Sequence, residues 1–309
     1  MTAAAWLWVV FGGVVVLLLV LDLGVFNRRA RVVGFREAAA WSALWILLAL
    51  AFNAGVLAVR GPDAALEFFT AYVVEKSLSV DNLFVFLLIF NSFAVPARVQ
   101  HHVLFWGVLG ALVIRAAFIL AGVALMHHVH WIMYVFGAFL VMTAVRLLFG
   151  HAKEVHPEHN PVLRLFRRAV PITPSYHGDA FFIRRRGRLI ATPLAVVLLI
   201  VESSDVVFAV DSIPAVLAIS TDPLIVYTSN IFAIMGLRAL YFLLAGVLQR
   251  LAGLHYGLAV ILAFIGVKMI IAEWVEFPTW ATLAFITVVL GVSVTASWRR
   301  PPAAQAVGH

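Results

Sequence analysis

Long runs of apolar residues, each bounded by charges or turn residues, decide what this chain can fold into. Hydrophobic residues make up 64% of its 309 residues, charged residues make up only 12%, and the mean hydropathy is +1.04. A helix of about 20 apolar residues crosses the roughly 30 Å hydrocarbon core of a bilayer. We therefore predict an all-α membrane protein with about nine transmembrane helices. The expected spans are residues 4–26, 38–59, 67–91, 101–126, 130–149, 190–217, 223–248, 256–275 and 279–297.

Basic residues are distributed unevenly between alternate connections of these spans. Sixteen lie on one side, eight of them in the loop 150–189, and only Arg60 lies on the other. Because cytoplasmic loops are enriched in Lys and Arg, the N-terminus is predicted outside and the C-terminus in the cytoplasm. No basic residue precedes the first span, and three arginines follow it. The span is therefore predicted to be retained rather than cleaved as a signal peptide. This topology accounts for the net charge of +7, and no nucleic-acid partner is expected.

The chain contains no cysteine. Disulfides, thiol redox chemistry and thiolate metal ligands are therefore excluded. A metal site in this protein has to use oxygen or histidine ligands, and no organic cofactor is indicated.

Carboxylates inside predicted spans are the most costly feature of the sequence. At a span centre each costs about 2.5 to 3.5 kcal/mol, so such residues are expected to be paired and to mark an ion pathway. The third span carries Glu75 and Asp81, and the sixth carries Glu202, Asp205 and Asp211. The basic residues predicted to balance them are Lys76, Arg115, Arg238 and Lys268.

Helical periodicity divides these acids into two groups. At about 100° per residue, one face of the third span presents Glu75, Ser79 and Asn82. One face of the sixth span presents Glu202, Asp205, Ala209 and Ser212. Asp81 and Asp211 point away from these faces. Pro214 cannot donate a hydrogen bond to the carbonyl of Val210, so we predict a helix break there that turns Asp211 inward.

Two halves of the chain resemble each other. Residues 75–82 (EKSLSVDN) align with residues 205–212 (DVVFAVDS), and Arg115 aligns with Arg238. Each unit holds three spans, so the copies run in opposite directions, as in the inverted repeats of secondary transporters. Glu202 has no acidic counterpart, because Tyr72 takes that place in the first copy. The predicted organisation is one transmembrane domain, with peripheral spans in 1–66, repeats in 67–149 and 190–276, a cytoplasmic loop in 150–189, and a last span and tail in 277–309.

Two interpretations of the intramembrane acids compete. In one, Arg and Lys neutralise them as structural ion pairs. In the other, which we favour, their oxygens bind a divalent cation near the bilayer midplane and the basic residues act as counter-charges when the site is empty. Oxygen ligands favour manganese, calcium or magnesium over zinc or copper. The predicted ligands are Glu75, Asp81, Asn82, Glu202, Asp205, Asp211 and Ser212.

The segments 75–86 and 202–215 resemble the two signature segments of the TerC/Alx family. The resemblance continues through 221–223, 230–234 and 256–262 and covers most of the chain apart from the loop 150–189 and the tail. It implies a bacterial inner-membrane protein of the LysE-like transporter group, named for tellurite resistance and linked to manganese export. It also carries over the same seven ligand residues. A carboxylate site is unsuited to the tellurite oxyanion, which favours a cation on charge alone.

The resulting prediction is a transporter, not an enzyme, that exports divalent manganese, with proton exchange at the same acids as a coupling mechanism. An alternative is a membrane factor that loads metal onto exported proteins or assembles them. A remote alternative is an intramembrane aspartyl protease using Asp81 and Asp211, although neither lies in a Gly-x-Gly-Asp setting. Expected partners are membrane lipid and a divalent cation, with a second copy of the chain or another membrane protein also compatible.

Overall fold

The computed structural model describes residues 9, 11–15, 34–129, 131–149, 161–185, 187–245, 254–275 and 277–299. The helices and strands in this part are α1 (Phe35–Arg60), α2 (Pro62–Ser92), α3 (Ala97–His128), α4 (Ile132–Phe149), α5 (Pro161–Ala169), β1 (Phe182–Arg185), β2 (Arg188–Ala191), α6 (Pro193–Leu217), α7 (Pro223–Met235), α8 (Leu237–Leu244), α9 (Leu254–Ile270) and α10 (Thr279–Arg299). The protein is mostly helical, as predicted.

Six helical segments in the described part are long and apolar enough to cross a membrane. They are Phe35–Arg60, Ala97–His128, Ile132–Phe149, Pro193–Leu217, Pro223–Leu244 and Thr279–Ser297. The 31-residue α2 has sufficient length but carries five charged residues, and α9 is a shorter apolar helix of 17 residues. Most of the predicted first span, residues 4–26, lies outside the described residues. The expected count of nine spans stays a prediction.

Local sequence explains where several helices begin. Gly61 lies between α1 and α2 with φ of 90°, a conformation that glycine adopts without steric cost, and Pro62 follows at the first helical position. Asp222 caps α7 by accepting a hydrogen bond from the backbone N–H of Leu224, with Pro223 again at the first position. The same Asp222 accepts from Arg60, which ties the end of α1 to the start of α7.

The helix break predicted at Pro214 is wrong. Helix α6 continues without interruption through Pro214 to Leu217, and the N–H of Ala218 still bonds to the proline carbonyl. The proline removes a single bond, the one to the carbonyl of Val210 in the preceding turn, and the helix continues on both sides of it. The interruption occurs instead at Gly236, which separates α7 from α8.

The central helices pack in pairs that cross between the two halves of the chain. Helix α3 packs most extensively against α6, α2 against α7, and α4 against α9. At the last crossing Gly137 and Gly266 bring the two backbones together, since a Cβ on either would lie 2.7–2.8 Å from the carbonyl oxygen of the other. The loop 150–189, described from residue 161 onward, holds α5 and the first strand of the antiparallel β1–β2 hairpin, so the chain is not purely helical.

Candidate functional site

Helix α2 presents a stripe of buried polar side chains toward the centre of the bundle. Tyr72, Glu75, Ser79 and Asn82 follow one another at intervals of three or four residues, and each is at most 5% exposed. This spacing places them on one helical face. The predicted shared face of Glu75, Ser79 and Asn82 is confirmed, and Tyr72 extends it by one turn.

A second polar stripe lies on α6. Asp205 and Ser212 are buried, Ala209 lies between them, and Glu202 is half-buried one turn earlier. This is the second face predicted from periodicity. Helix α2 packs directly against α6, and α6 packs against α3, which contributes a residue that contacts both stripes.

Arg115 of α3 joins the two stripes. Its Nη1 donates a hydrogen bond to Oε1 of Glu75, and its Nη2 lies 3.4 Å from Oδ1 of Asp205. The guanidinium also donates to Oγ of Ser212 at 3.2 Å and to Oδ1 of Asn230 of α7 at 3.4 Å. Arg115 and Glu75 are fully buried. We call Glu75, Arg115, Glu202 and Asp205 the acid cluster.

Three carboxylate oxygens of this cluster are buried without a hydrogen bond to a described residue. Within the described part of the chain, Oε2 of Glu75, Oδ2 of Asp205 and Oε2 of Glu202 are buried without a hydrogen-bond partner. The same is true of the hydroxyls of Tyr72 and Ser79 on the neighbouring stripe. An unsatisfied carboxylate oxygen inside a membrane protein is costly, and a hard cation would satisfy it.

The position of the Glu202 side chain requires a glycine on the neighbouring helix. Its carboxylate lies directly over Gly110 of α3, where a Cβ would overlap it, and Val201 lies 3.0 Å from the corresponding position on Gly107. The two glycines of α3 therefore let α6 approach closely enough for Glu202 to enter the bundle. Glu202 is in electrostatic range of Asp205.

The remaining predicted ligands lie elsewhere. Asp211, half-buried, accepts a hydrogen bond from Oγ1 of Thr143 on α4 at 3.4 Å. Asp81, also half-buried, directly precedes Asn82 on α2 but does not share its face. In the described residues, no group of three or more acidic or histidine side chains is close enough to form a ready metal cage.

Of the four cations predicted to balance the acids, Arg115 does so directly. Lys76 donates to the carbonyl of Ala233 near the end of α7, and Lys268 donates to Thr282 of α10. The guanidinium carbon of Arg238 lies 6.0 Å from the ring centroid of Phe105.

Comparison with known proteins identifies the family. The model of the integral membrane protein TerC family matches residues 60–304. This chain belongs to the TerC family.

Several known proteins are similar to this chain over nearly its whole length. Membrane protein STKORF319 of Myxococcus xanthus is 52% identical over 291 residues, which are 94% of this chain and 91% of the relative. Alx of Escherichia coli strain K12, named as a proposed membrane-bound redox modulator, is 48% identical over 298 residues, 93% of this chain and 92% of its own. A membrane protein of Rickettsia bellii is 37% identical over 290 residues, 94% of this chain and 96% of its own. No solved structure matches the chain.

Three residues that contact the predicted site residues were not themselves predicted. Asn230 and Thr143 are polar residues inside predicted spans, a signal that was available, but uncharged side chains are common there. Gly110 could be recognised only once Glu202 was seen to lie over it. Each acts through the packing of one helix on another.

A cavity of about 370 Å³ opens beyond the acid cluster. It lies near one end of α2, α6 and α9 and includes Glu67, Asp222 and Lys268 among its lining residues. Leu217, which also lines it, follows Asp205 by twelve residues on α6, so the cavity begins about 18 Å along the helix from that member of the cluster.

Proposed function

We propose that this protein transports divalent cations, most of all manganese, out of the cytoplasm across the bacterial inner membrane. The observation that carries the proposal is the set of three buried carboxylate oxygens without hydrogen bonds, on Glu75, Glu202 and Asp205. A permanent structural ion pair has no need of buried carboxylate oxygens that lack hydrogen bonds. A site that ions enter and leave has to keep some ligands available.

The ligand chemistry supports a hard or borderline divalent ion. The cluster offers carboxylate oxygens, with the hydroxyls of Tyr72 and Ser79 and the amide of Asn82 on the same face of α2. The chain has no cysteine, and the acid cluster contains no histidine. Oxygen ligands suit manganese, calcium and magnesium better than copper.

The pairing of helices supports an inverted repeat in which α2, α3 and α4 correspond to α6, α7–α8 and α9. Under that correspondence the α3–α6 and α2–α7 contacts are equivalent, and the α4–α9 contact maps onto itself. The aligned Glu75 and Asp205 then lie on equivalent helices and share one guanidinium. Inverted repeats of this kind let a transporter expose one site to either side in turn.

The distribution of basic residues supports an orientation with the N-terminus outside and the C-terminus in the cytoplasm. With the loop 150–189 in the cytoplasm, the cavity beyond the acid cluster faces outside, because Arg60 and Asp222 lie at the opposite ends of the spans from that loop. An outward cavity lined by Glu67, Asp222 and Lys268 would serve as the exit for cations.

The name of the E. coli relative, a redox modulator, is compatible with ion transport. This chain has no thiol with which to carry out redox exchange itself. Any effect on redox balance would therefore act through the metal that it moves. A catalytic role is not part of the proposal, because the spare oxygens belong to Glu75, Glu202 and Asp205 rather than to the Asp81 and Asp211 pair that a protease would need.

Manganese flux into proteoliposomes tests the proposal. Wild-type protein should transport manganese, and Glu75→Gln or Asp205→Asn should lower the flux at least about tenfold by removing a charged ligand. The combined change Asp81→Asn with Asp211→Asn should have a smaller effect, since Asp211 bonds to Thr143 outside the cluster.

Asp179→Asn, an exposed loop change, is the matched control and should leave the flux unaltered. Size-exclusion profiles of all variants should be checked for folding. Equal manganese flux through wild type and through well-folded Glu75→Gln and Asp205→Asn would refute the proposal.

A further inference from the structure

We propose that helix α5 lies in the surface of the bilayer and binds the headgroups of anionic phospholipids through Arg164, Arg167 and Arg168. The helix belongs to the segment of residues 161–192, which we call the docked loop. Neither ion transport nor the side of the membrane on which the docked loop lies is a condition for this binding.

The docked loop is fastened to the ends of the long helices. The hydroxyl of Tyr176 donates a hydrogen bond of 2.7 Å to the carbonyl of Phe93 at the end of α2. The ring of Phe181 stacks on that of His102 near the start of α3, with centroids 4.9 Å apart. Strand β2 leads directly into α6. Because α3 and α6 are candidate membrane spans, the docked loop is held at the level of the bilayer surface.

Helix α5 has one face on the protein and an apolar face beside it. Leu163 is 1% exposed and belongs to the same buried cluster as Leu194 of α6. At about 100° per residue, Val162 and Leu165 lie next to this docked face. Their side chains are nevertheless 43% and 69% exposed. The described part of the chain therefore leaves an apolar strip of α5 uncovered.

The third face of α5 is basic. Arg164, Arg167 and Arg168 are all exposed, and within the described residues none of them forms an ion pair. On the helical projection Arg168 lies about 60° from Leu165, so the basic face borders the apolar strip. The two exposed faces of α5 are thus neighbours on one surface.

The rest of the docked loop adds to this positive charge. The hairpin exposes three further arginines, Arg184, Arg185 and Arg188. The sequence of the docked loop contains a single acidic residue, Asp179. A cluster of arginines with so few acids nearby produces a positive potential that attracts anionic groups.

An anionic phospholipid surface matches both exposed faces of α5. In interfacial helices the apolar face enters the boundary between headgroups and acyl chains, and the arginines next to it reach the headgroup phosphates. A soluble protein would have to present acidic groups beside an apolar patch to do the same. The bilayer is the better candidate, because the docked loop is already held at its surface.

Contact between α5 and lipid can be measured with one label per molecule, because the chain has no cysteine. The full-length Leu165→Cys protein is labelled with an environment-sensitive fluorophore and placed in phosphatidylcholine nanodiscs. These contain the same small fraction of either nitroxide-labelled phosphatidylglycerol or nitroxide-labelled phosphatidylcholine. The measured quantity is the ratio of quenching by the anionic lipid to quenching by the zwitterionic lipid.

We expect both lipids to quench the label at position 165, with a ratio of at least about three. Replacing Arg164, Arg167 and Arg168 together by glutamine should return the ratio to about one, whereas replacing them by lysine should keep most of the preference because the charge is retained. Val292→Cys is the matched control, at an exposed position of the candidate span α10 that meets bulk lipid. Its ratio should be about one with or without the arginines.

A ratio of about one at position 165 in the protein that keeps its arginines would overturn the proposal. So would a ratio that is unchanged in the glutamine variant, or a label that neither lipid quenches, which would place α5 in water or against another protein. If the glutamine variant does not fold, added salt replaces it, since screening should lower the ratio in the protein that keeps its arginines. None of these readouts involves manganese, so their failure leaves the proposed transport function standing.

Discussion

At the scale of single residues, Arg115 and Gly110 are complementary requirements of the site. Arg115 brings charge into a fully buried position and is stable there because four side chains accept its hydrogen bonds. Gly110 has no side chain and so leaves room for the Glu202 carboxylate. Helix α3 supplies both, five residues apart, and so fixes the acid cluster from one side.

Gly110→Ala should displace the Glu202 carboxylate. The added methyl group overlaps it, and overpacking of a close helix contact costs about 1 to 3 kcal/mol. We expect a lower thermal unfolding temperature in detergent and a reduced manganese flux. Gly55→Ala on α1 is the control, because nothing lies within 4 Å of its Cβ position. A Gly110→Ala protein as stable and as active as Gly55→Ala would show that Glu202 does not need this space.

At the scale of helices, periodicity predicted the faces of α2 and α6 but not how they are joined. Spacing of three and four residues determines which side chains share a helical face, so the two polar stripes followed from sequence. The partner of each charge depends on which helices come together in the fold, and the sequence named four cations without ranking them. The break was misplaced for a related reason. A proline removes one backbone hydrogen bond, and whether the helix continues past it depends on its packing; α6 continues to Leu217.

The α4–α9 crossing provides a prediction for a whole element. Gly137→Val or Gly266→Val should separate the two helices, because a Cβ at either position already meets the opposing backbone carbonyl. We expect destabilisation of about 1 to 3 kcal/mol for each and a loss of flux greater than stability alone explains. The readouts are equilibrium unfolding in mixed detergent and proteoliposome transport.

Gly291→Val on α10 is the matched control for this crossing, since its Cβ position has nothing within 4 Å. It introduces the same β-branched residue into a helix and so carries the same propensity cost. If Gly137→Val and Gly266→Val unfold at the same denaturant concentration as Gly291→Val, the close approach of α4 and α9 is not required.

At the scale of the whole molecule, two halves with related sequences pack through one another rather than side by side. Each of the pairs α3–α6, α2–α7 and α4–α9 joins one half to the other, so neither half has a core of its own. The aligned Glu75 and Asp205 could therefore meet at one arginine although 130 positions separate them. The sequence aligned the two segments, but only packing shows that the aligned acids contact one arginine.

The orientation of the chain can be measured with unusually little background, because it has no cysteine of its own. Ser175→Cys, in the loop before β1, and Asp63→Cys, at the start of α2, are both exposed substitutions on opposite sides of the proposed topology. In intact cells a membrane-impermeant maleimide should label Asp63→Cys and should label Ser175→Cys only after the membrane is opened. The reverse pattern would place the basic loop outside and turn the cavity next to Glu67 toward the cytoplasm, as an entrance instead of an exit.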